Sequence, residues 1–113
     1  MNGEMRVDKD GTKKWYLDDV LHRTDGPAVE KKNGTKRWYL NGELHRDDGP
    51  AIEDANGDKY WQINGKYHRE DGPAADFGPG HGYWYLDGKK VEYDPATWDQ
   101  KVKEHRIKYV MES

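Results

Sequence analysis

Hydrophobic and polar residues alternate along short segments of this chain, and one such segment recurs. In the segment KRWYL, Lys36, Trp38 and Leu40 occupy alternate positions, with Arg37 and Tyr39 between them. Successive side chains of a β-strand point to opposite faces, so this alternation predicts a strand with Trp38 on one face and Tyr39 on the other. The chain is therefore expected to be rich in short strands.

The recurrence has a fixed period of 23 residues. Tryptophan and glycine keep this interval without drift, at Trp15, Trp38, Trp61 and Trp84 and at Gly11, Gly34, Gly57 and Gly80. A second motif keeps the same register in the forms HRTDGPA, HRDDGPA and HREDGPA, which begin at His22, His45 and His68. Self-similarity at a period of this length is the sequence signature of a repeat protein.

Turn-forming pairs divide each copy into strands. Asp or Asn precedes Gly at 10–11, 33–34 and 56–57 and again at 41–42, 64–65 and 87–88. Both residue types tolerate the positive φ angles of tight hairpin turns. The second copy is therefore predicted to contain one strand over residues 35–40 and a second over 43–55, bent at the Asp-Gly-Pro of 48–50. Two strands per copy place successive copies roughly 9–10 Å apart.

Stacking such copies side by side gathers like side chains into rows. One face is expected to carry Trp15, Trp38, Trp61 and Trp84 beside Leu17, Leu40, Ile63 and Leu86. The other is expected to carry Tyr16, Tyr39, Gln62 and Tyr85 beside Lys14, Arg37, Tyr60 and Tyr83. Each copy of such an array contacts only its neighbours, so no deep hydrophobic core is required.

The last copy lacks the HR-x-DGPA motif and leads into a different pattern. Asp94-Pro95 is typical of a helix start, with Asp94 as N-cap and Pro95 at the first helical position. A stripe at helical spacing follows, formed by Trp98, Val102, His105, Tyr109 and Val110. This stripe is expected to cover the last strand, whose open edge would otherwise invite aggregation.

These patterns together predict a mainly β fold in one domain. It is an elongated, single-layer antiparallel β-repeat, a solenoid of hairpins with four copies over residues 1–93 and one capping α-helix over residues 94–113. Only 33% of the residues are hydrophobic and 36% are charged, but there are five Trp and eight Tyr. Such a composition suits a thin structure in which aromatic stems pack and polar tips stay wet.

Charge and cysteine content limit the function classes. A net charge of −3 gives no basic patch that indicates nucleic-acid binding. The chain has no cysteine, so disulfides and thiolate chemistry are excluded. The first residues lack the apolar run of a signal peptide, and no segment is apolar enough to span a bilayer, so a soluble cytoplasmic protein without a membrane role is expected.

The unit WYLNGELHRDDGPA, which begins at Trp38, resembles MORN repeats. It is most similar to a divergent form found in small proteins of bacteriophages and large viruses, and the resemblance covers about residues 3–92. It implies a scaffold for protein contacts, and phage proteins of this size often inhibit or redirect host machinery. His-Arg replaces the His-Gly of the common MORN form, so the partner and lipid preferences of that form are not carried over.

Catalytic and metal-binding interpretations are weak. His22, His45 and His68 occupy equivalent positions about 9–10 Å apart, too far to share one zinc ion, so each is expected to pack on the neighbouring turn or to bond its backbone. The acidic pairs at 47–48 and 70–71 recur in equivalent turns, where Asp supports the turn. Hydroxyl nucleophiles are scarce and no phosphate-binding motif is present. We expect no enzyme, no cofactor and no metal.

The face that carries tyrosine and cations is the predicted binding surface, because a single-layer sheet must expose some of its side chains and aromatic rings with cations grip peptides or bases. The alternative is that these side chains only cover one another across strands. Phe77, in the Gly-rich turn of the fourth copy, either anchors a partner or docks the helix. The predicted partner-binding residues are Tyr16, Arg37, Tyr39, Tyr60, Phe77, His81, Tyr83 and Tyr85.

The expected function is a non-catalytic protein-binding module. Taken with the resemblance, the expected partner is a host protein, an enzyme or a defence complex that a phage-encoded protein inhibits or modulates. Two alternatives stay open at this point: a binder of small ligands such as nucleotides, and a structural component that oligomerises through its sheet edges.

Overall fold

The computed structural model describes the backbone of residues 3–112 and the side chains of residues 3–106. It confirms a mainly β fold with one C-terminal α-helix. The strands pair antiparallel throughout the described residues. The Cα positions extend over 49 × 34 × 18 Å, so the molecule is much thinner than it is long.

Fourteen short strands and one helix lie within residues 3–112. The strands are β1 (Glu4–Val7), β2 (Lys13–Leu17), β3 (Val20–Leu21), β4 (Val29–Glu30), β5 (Lys36–Arg37), β6 (Tyr39–Leu40), β7 (Glu43–Leu44), β8 (Ile52–Glu53), β9 (Lys59–Tyr60), β10 (Gln62–Ile63), β11 (Lys66–Tyr67), β12 (Ala75–Asp76), β13 (Gly82–Leu86) and β14 (Lys89–Val91). The helix is α1 (Trp98–Glu112).

Most strands of the described chain join one ten-stranded sheet. Its order is β1-β2-β4-β5-β8-β9-β12-β13-β14, and β3 pairs with β2 at the side. Two small ladders, β6 with β7 and β10 with β11, lie outside this path. Neighbours in the sheet follow one another along the chain, except that β3 lies between β2 and β4 and a small ladder lies between β5 and β8 and between β9 and β12.

The strand that carries Trp38 pairs with both ends of the segment that follows it. β5 pairs with β8 and β6 pairs with β7, while Trp38 lies between the two pairs. The Trp38 N–H donates to the Ala51 carbonyl at 2.8 Å, and the Trp38 carbonyl accepts from the His45 N–H at 3.0 Å. Residues 45 and 51 thus both bond the backbone of Trp38, and the segment between them forms a loop outside the sheet. We call this segment and its equivalents, 22–28 and 68–74, the HR loops.

This geometry corrects the predicted strands. The strand expected over residues 35–40 is divided at Trp38, and the one expected over 43–55 is interrupted over seven residues, 45–51, and not only bent at 48–50. The reason is a side-chain contact that closes the loop on itself. Arg46 Nη1 donates to the Pro50 carbonyl at 3.1 Å.

The tight turns predicted at Asx-Gly pairs are confirmed. Asn41 and Gly42 have φ angles of 52° and 82°. The equivalent pairs at 64–65 and 87–88 also have positive φ at both residues. Positive φ at both central positions is the geometry of a type I′ turn, whose twist matches that of the flanking strands. Asn and Gly enter this region with little strain, which explains why they occupy these positions.

Small residues fill the space between the HR loops and the sheet. Ala28, Ala51 and Ala74, which end the three loops, are each 0% exposed. The backbone of each loop returns close to the sheet at this residue, because its carbonyl accepts from the tryptophan N–H. Alanine is the side chain that fits so close an approach.

Each HR loop also bonds the next copy along the chain. Nδ1 of His45 accepts a hydrogen bond from the Asn64 N–H at 3.0 Å, and the Arg46 N–H donates to the Gln62 carbonyl at 3.1 Å. The expectation that each repeated histidine bonds a neighbouring turn is thus confirmed. Equivalent bonds join His22 to Asn41 and His68 to Asp87.

Helix α1 begins at Trp98, four residues after Asp94. Asp94 caps the turn that leads into the helix. Its side chain accepts a hydrogen bond from the Ala96 N–H, and its carbonyl accepts one from the Trp98 N–H. The helix start is therefore later than the predicted one at Pro95. Two side chains of the predicted stripe, Tyr109 and Val110, lie outside the described side chains.

The helix packs on the last two strands, β13 and β14, as the sequence indicated. Trp98 and Val102 are buried against Leu86, with Trp84 and Val91 beside them. Trp84 is the one repeated tryptophan without an HR loop after it, so its face would otherwise be bare. The helix occupies that place because a large apolar surface was left uncovered there.

Candidate binding surface

The sheet has two chemically different faces. The tryptophan face carries the four repeated tryptophans, and the tyrosine face carries the residues one position away from them in each strand. Directly paired residues of antiparallel strands point to the same side. The strand register therefore places one row on the tyrosine face, formed by Lys14, Val29, Arg37, Ile52, Tyr60, Ala75 and Tyr83.

Five aromatic rings meet at the C-terminal end of the tyrosine face, and we call them the ring arc. In order of contact they are Tyr85, Tyr67, Tyr60, Phe77 and Tyr83. The ring centroids of Tyr85 and Tyr67 are 5.0 Å apart, the closest pair of the arc. Phe77 contacts its two neighbours edge-on, at 5.9 and 6.0 Å. Tilted and edge-on contacts at these distances are favourable for aromatic rings.

The arc is both packed and open to solvent. Phe77 is 40% exposed and Tyr83 is 47% exposed, although each contacts other rings. The Lys90 Nζ lies 4.1 Å from the centroid of the Tyr83 ring. Burial raises the pKa of Tyr60, with a further contribution from the nearby carboxylates of Asp54 and Asp58. The phenol of Tyr60 therefore stays neutral to a higher pH than an exposed tyrosine does.

Four of the predicted binding residues, Tyr60, Phe77, Tyr83 and Tyr85, are brought together in this arc. Among the described side chains, Phe77 contacts Tyr60 and Tyr83 on the tyrosine face, whereas Trp98 and Val102 of α1 pack on the tryptophan face. His81 lies in the turn beside Phe77 and accepts its N–H through the main-chain carbonyl.

The remaining predicted residues are placed elsewhere on the tyrosine face. Tyr16 lies toward the N-terminal end, where the guanidinium carbon of Arg6 is 4.4 Å from its ring centroid. Tyr39 lies in β6, opposite Leu44 of β7. Arg37 lies in the row described above, between Val29 and Ile52. None of these three residues makes a ring contact with the arc among the described side chains.

One member of the arc, Tyr67, was not among the predicted binding residues. It occupies the position of Leu21 and Leu44 in the earlier copies, directly opposite Gln62. The replacement of an aliphatic residue by an aromatic one in this column is the signal that identifies it. The third copy thus carries aromatic residues at both Tyr60 and Tyr67, where earlier copies have a cation and leucine.

The tryptophan face is largely occupied by the protein itself. The guanidinium carbons of Arg23, Arg46 and Arg69 lie 3.9, 3.8 and 3.6 Å from the ring centroids of Trp15, Trp38 and Trp61. Trp84 has no such arginine, and the ring of Tyr93 stacks on it instead at 3.8 Å. All four repeated tryptophan rings are therefore covered from within the chain.

Open clefts separate successive HR loops on the tryptophan face. One of about 630 Å³ is lined by Trp38, Leu40 and the first two loops, and an equivalent one of about 810 Å³ lies between the second and third loops. Arg46 borders both clefts, and its side chain is bound to Asp48 and Glu53. The guanidinium groups in these clefts already have carboxylate partners, so a ligand would have to displace them.

The repeated histidines are poorly suited to hold a metal. In each, Nδ1 accepts a backbone N–H, so the neutral ring carries its proton on Nε2. Metal coordination by Nε2 needs a free lone pair on that nitrogen. His45 Nε2 instead lies 3.0 Å from an oxygen of Asp47, as expected of a donor. No group of three or more metal-ligating side chains is found in the part of the chain that the structure describes.

A polar contact joins α1 to the third HR loop. Trp98 Nε1 donates to the Glu70 carbonyl at 2.6 Å, and the Arg106 guanidinium binds the Glu70 carboxylate, which lowers the pKa of that carboxyl. The rings of His68 and His105 lie 5.6 Å apart. Burial lowers the pKa of His68, so its ring is held in the neutral form that the loop requires.

Within the described residues, no helix is long and apolar enough to cross a membrane. Comparisons of the chain with models of protein families, with curated proteins and with solved structures found no match.

Proposed function

We propose that this chain is a protein-binding module and that the ring arc is its contact surface. The observation that carries the proposal is the group of five rings on one sheet face, two of which leave 40% and 47% of their surface exposed. Exposed aromatic side chains held in place by neighbouring rings are typical of binding hot spots. They bury large apolar areas and lose little side-chain entropy on binding.

The shape of this surface favours a protein over a small molecule. The arc lies on an open sheet face, whereas small-ligand sites are concave and enclose most of their ligand. The described clefts with defined volumes border the HR loops or α1 on the tryptophan face. None of these clefts is lined by a ring of the arc, which suits contact with the surface of a protein partner better than enclosure of a small ligand.

The proposed architecture is a non-catalytic, MORN-like array in which each copy rests on the next. It is supported by hydrogen bonds between neighbouring copies that recur with the sequence period. They join the N–H of Gly42, Gly65 and Gly88 to the carbonyls of Leu21, Leu44 and Tyr67. Equivalent side chains are thereby distributed in rows, whereas catalysis needs different groups converging on one point.

The proposed partner is a host enzyme or a defence complex of a bacterial cell in which this protein acts in the cytoplasm. This part of the proposal rests on the resemblance of the WYLNGELHRDDGPA unit to repeats of phage proteins. Inhibition of such a partner requires only that the module cover a functional surface. A stable contact of this kind typically buries about 800 Å² on each side.

The test is affinity capture from bacterial lysates with the wild-type chain, the double variant Phe77→Ala/Tyr83→Ala and the control Val7→Ser. Val7 is also an exposed apolar residue, at 58%, but it lies in β1, away from the arc. We expect a defined protein to be retained by the wild type and the control and lost by the double variant. Equal retention by all three proteins would assign the contact to another surface.

A further inference from the structure

Arg37 differs from every other arginine of the chain in its charge environment. The chain has six arginines, and the other five each lie within 4 Å of a carboxylate oxygen: Arg6, Arg23, Arg46, Arg69 and Arg106. Arg37 has no ion pair with any described residue, and its Nε is buried without a hydrogen-bond acceptor. A buried donor without a partner destabilises a fold, so its presence calls for a functional reason.

The strand register explains why no carboxylate of the neighbouring strands reaches Arg37. Arg37 lies opposite Val29 on one side and Ile52 on the other. The acidic residues Glu30 and Glu53 come one position later, so they point to the tryptophan face and pair with the HR-loop arginines. The tyrosine face therefore presents the Arg37 guanidinium between two aliphatic side chains, without a counter-ion from either adjacent strand.

The distance between Arg37 and the ring arc is set by the sheet. Ile52 pairs with both Arg37 and Tyr60, so the latter two are two strands apart, about 10 Å. An extended peptide advances about 3.3 Å per residue, so about three residues span this gap. One ligand segment thus reaches the guanidinium with one side chain and the nearest ring of the arc with another.

We propose that Arg37 is the carboxylate-binding position of this surface, and that the partner presents an acidic side chain about three residues from an aromatic or aliphatic one. The carboxylate pairs with the Arg37 guanidinium while the apolar side chain packs on the ring arc. This inference rests on the proposed function and names the chemistry of the partner segment. Arginine suits this task, because its planar fork binds a carboxylate through two parallel hydrogen bonds.

The charges on this face favour a single carboxylate over a polyphosphate. Lys14, the nearest cation of the row, is already bound to Asp8 at 2.8 Å. Asp54 and Asp58 lie near Tyr60, where their charge raises the pKa of its phenol. The face thus combines one guanidinium that has no ion pair among the described residues with two carboxylates near Tyr60, so it suits a ligand with one negative charge better than one with a cluster of them.

The test uses short random peptides displayed on phage and selected on the immobilised full-length chain. Selected peptides are synthesised, and their affinities for four proteins are measured by fluorescence anisotropy at low and high salt. The proteins are the wild type, Arg37→Gln, the double variant Phe77→Ala/Tyr83→Ala and the control Lys36→Gln. Lys36 is the adjacent cation of the same strand and points to the opposite face, so its removal changes the net charge equally.

We expect selected peptides to share an acidic residue near an apolar one. Arg37→Gln should weaken their binding about tenfold or more, and Lys36→Gln should leave it unchanged. Replacing the peptide's Glu by Gln should weaken binding to the wild type to the same extent and have no further effect on Arg37→Gln. That non-additivity is the signature of a direct contact.

The other outcomes separate this inference from the proposed function. Peptides that lose binding to the double variant but are indifferent to Arg37→Gln overturn the role of Arg37 and leave the ring arc in place. Peptides that bind all four proteins alike contradict both. A selection that enriches no peptide, or Arg37-dependent binding of ATP in a parallel titration, overturns the assignment of an acidic peptide.

Discussion

The guanidinium carbon of Arg46 lies 3.8 Å from the ring centroid of Trp38, and the same side chain bonds the Pro50 carbonyl and the Glu53 carboxylate. One residue thus covers the sheet's aromatic ring and closes the HR loop above it. The arrangement recurs at Arg23 and Arg69. The loop residues that look like surface charge in the sequence are therefore part of the packing.

We expect Arg46→Ala to lower the free energy of unfolding by about 2 kcal/mol, because it removes a partly buried cation–π contact together with charge-assisted hydrogen bonds. Arg46→Lys should lose less stability than Arg46→Ala, since lysine keeps the charge but lacks the planar fork. Urea denaturation followed by tryptophan fluorescence measures both. Lys31→Ala, at an exposed turn position, is the control. An Arg46→Ala protein as stable as the control would contradict a packing role for the stack.

Replacing Arg37 should raise the stability of the protein, whereas replacing Arg46 should lower it. Arg37→Met replaces an unpaired guanidinium with an apolar side chain of similar length between Val29 and Ile52. We expect the free energy of unfolding to rise by about 1 kcal/mol, since a buried donor without an acceptor is removed. The same urea experiment measures it. A loss of stability would mean that Arg37 supports the fold, which would weaken the case for its role in binding.

Ala51 is 0% exposed where the second HR loop returns to the sheet, so a larger side chain has no room there. We expect Ala51→Leu to lower the free energy of unfolding by about 1–3 kcal/mol through overpacking. The matched control is Ala55→Leu, because Ala55 is exposed in the turn that follows. Similar losses in the two variants would show that the site at Ala51 relaxes, contrary to a close-packed loop.

Mild acid should loosen the contact between the third HR loop and the last copy. Burial lowers the pKa of His68 from the ordinary 6.5; His105 and Arg106 lower it further, and Glu70 and Asp87 oppose the shift. Since the folded state favours the neutral ring, the contribution of His68 to the free energy of unfolding is complete above about pH 6.5. It is lost progressively as the pH falls below that value, because only the unfolded chain binds the proton readily.

The measurement is urea unfolding of the wild type and His68→Asn between neutral pH and pH about 5. Asparagine keeps an acceptor for the Asp87 N–H but does not titrate, so the variant should lose less stability over this interval. The Arg106 guanidinium lowers the pKa of Glu70, so the Glu70 carboxylate stabilises the folded state fully above its ordinary pKa of 4.5. This stabilisation is lost as the pH falls further. Identical pH profiles of the two proteins would exclude His68 as the titrating group.

Much of the fold follows from local pattern. The Asx-Gly pairs determine the hairpins, since only residues that tolerate positive φ occupy those positions, and the alternation around Trp38 and Tyr39 assigns the two faces. The bond from each repeated histidine to the next turn was also predictable, because the sequence period led us to expect that equivalent turns lie side by side.

The sequence by itself determined the period, the turns, the mainly β class and the composition of the tyrosine face. Only the tertiary structure decided that the HR loops rise from the sheet, that Tyr93 and α1 cover Trp84, that Tyr67 joins the ring arc and that Arg37 has no counter-ion among the described residues. The physical reason is the range of the interactions. Turn and strand preferences act within a few residues, whereas stacking, burial and ion pairing depend on which side chains meet once the strand register is set.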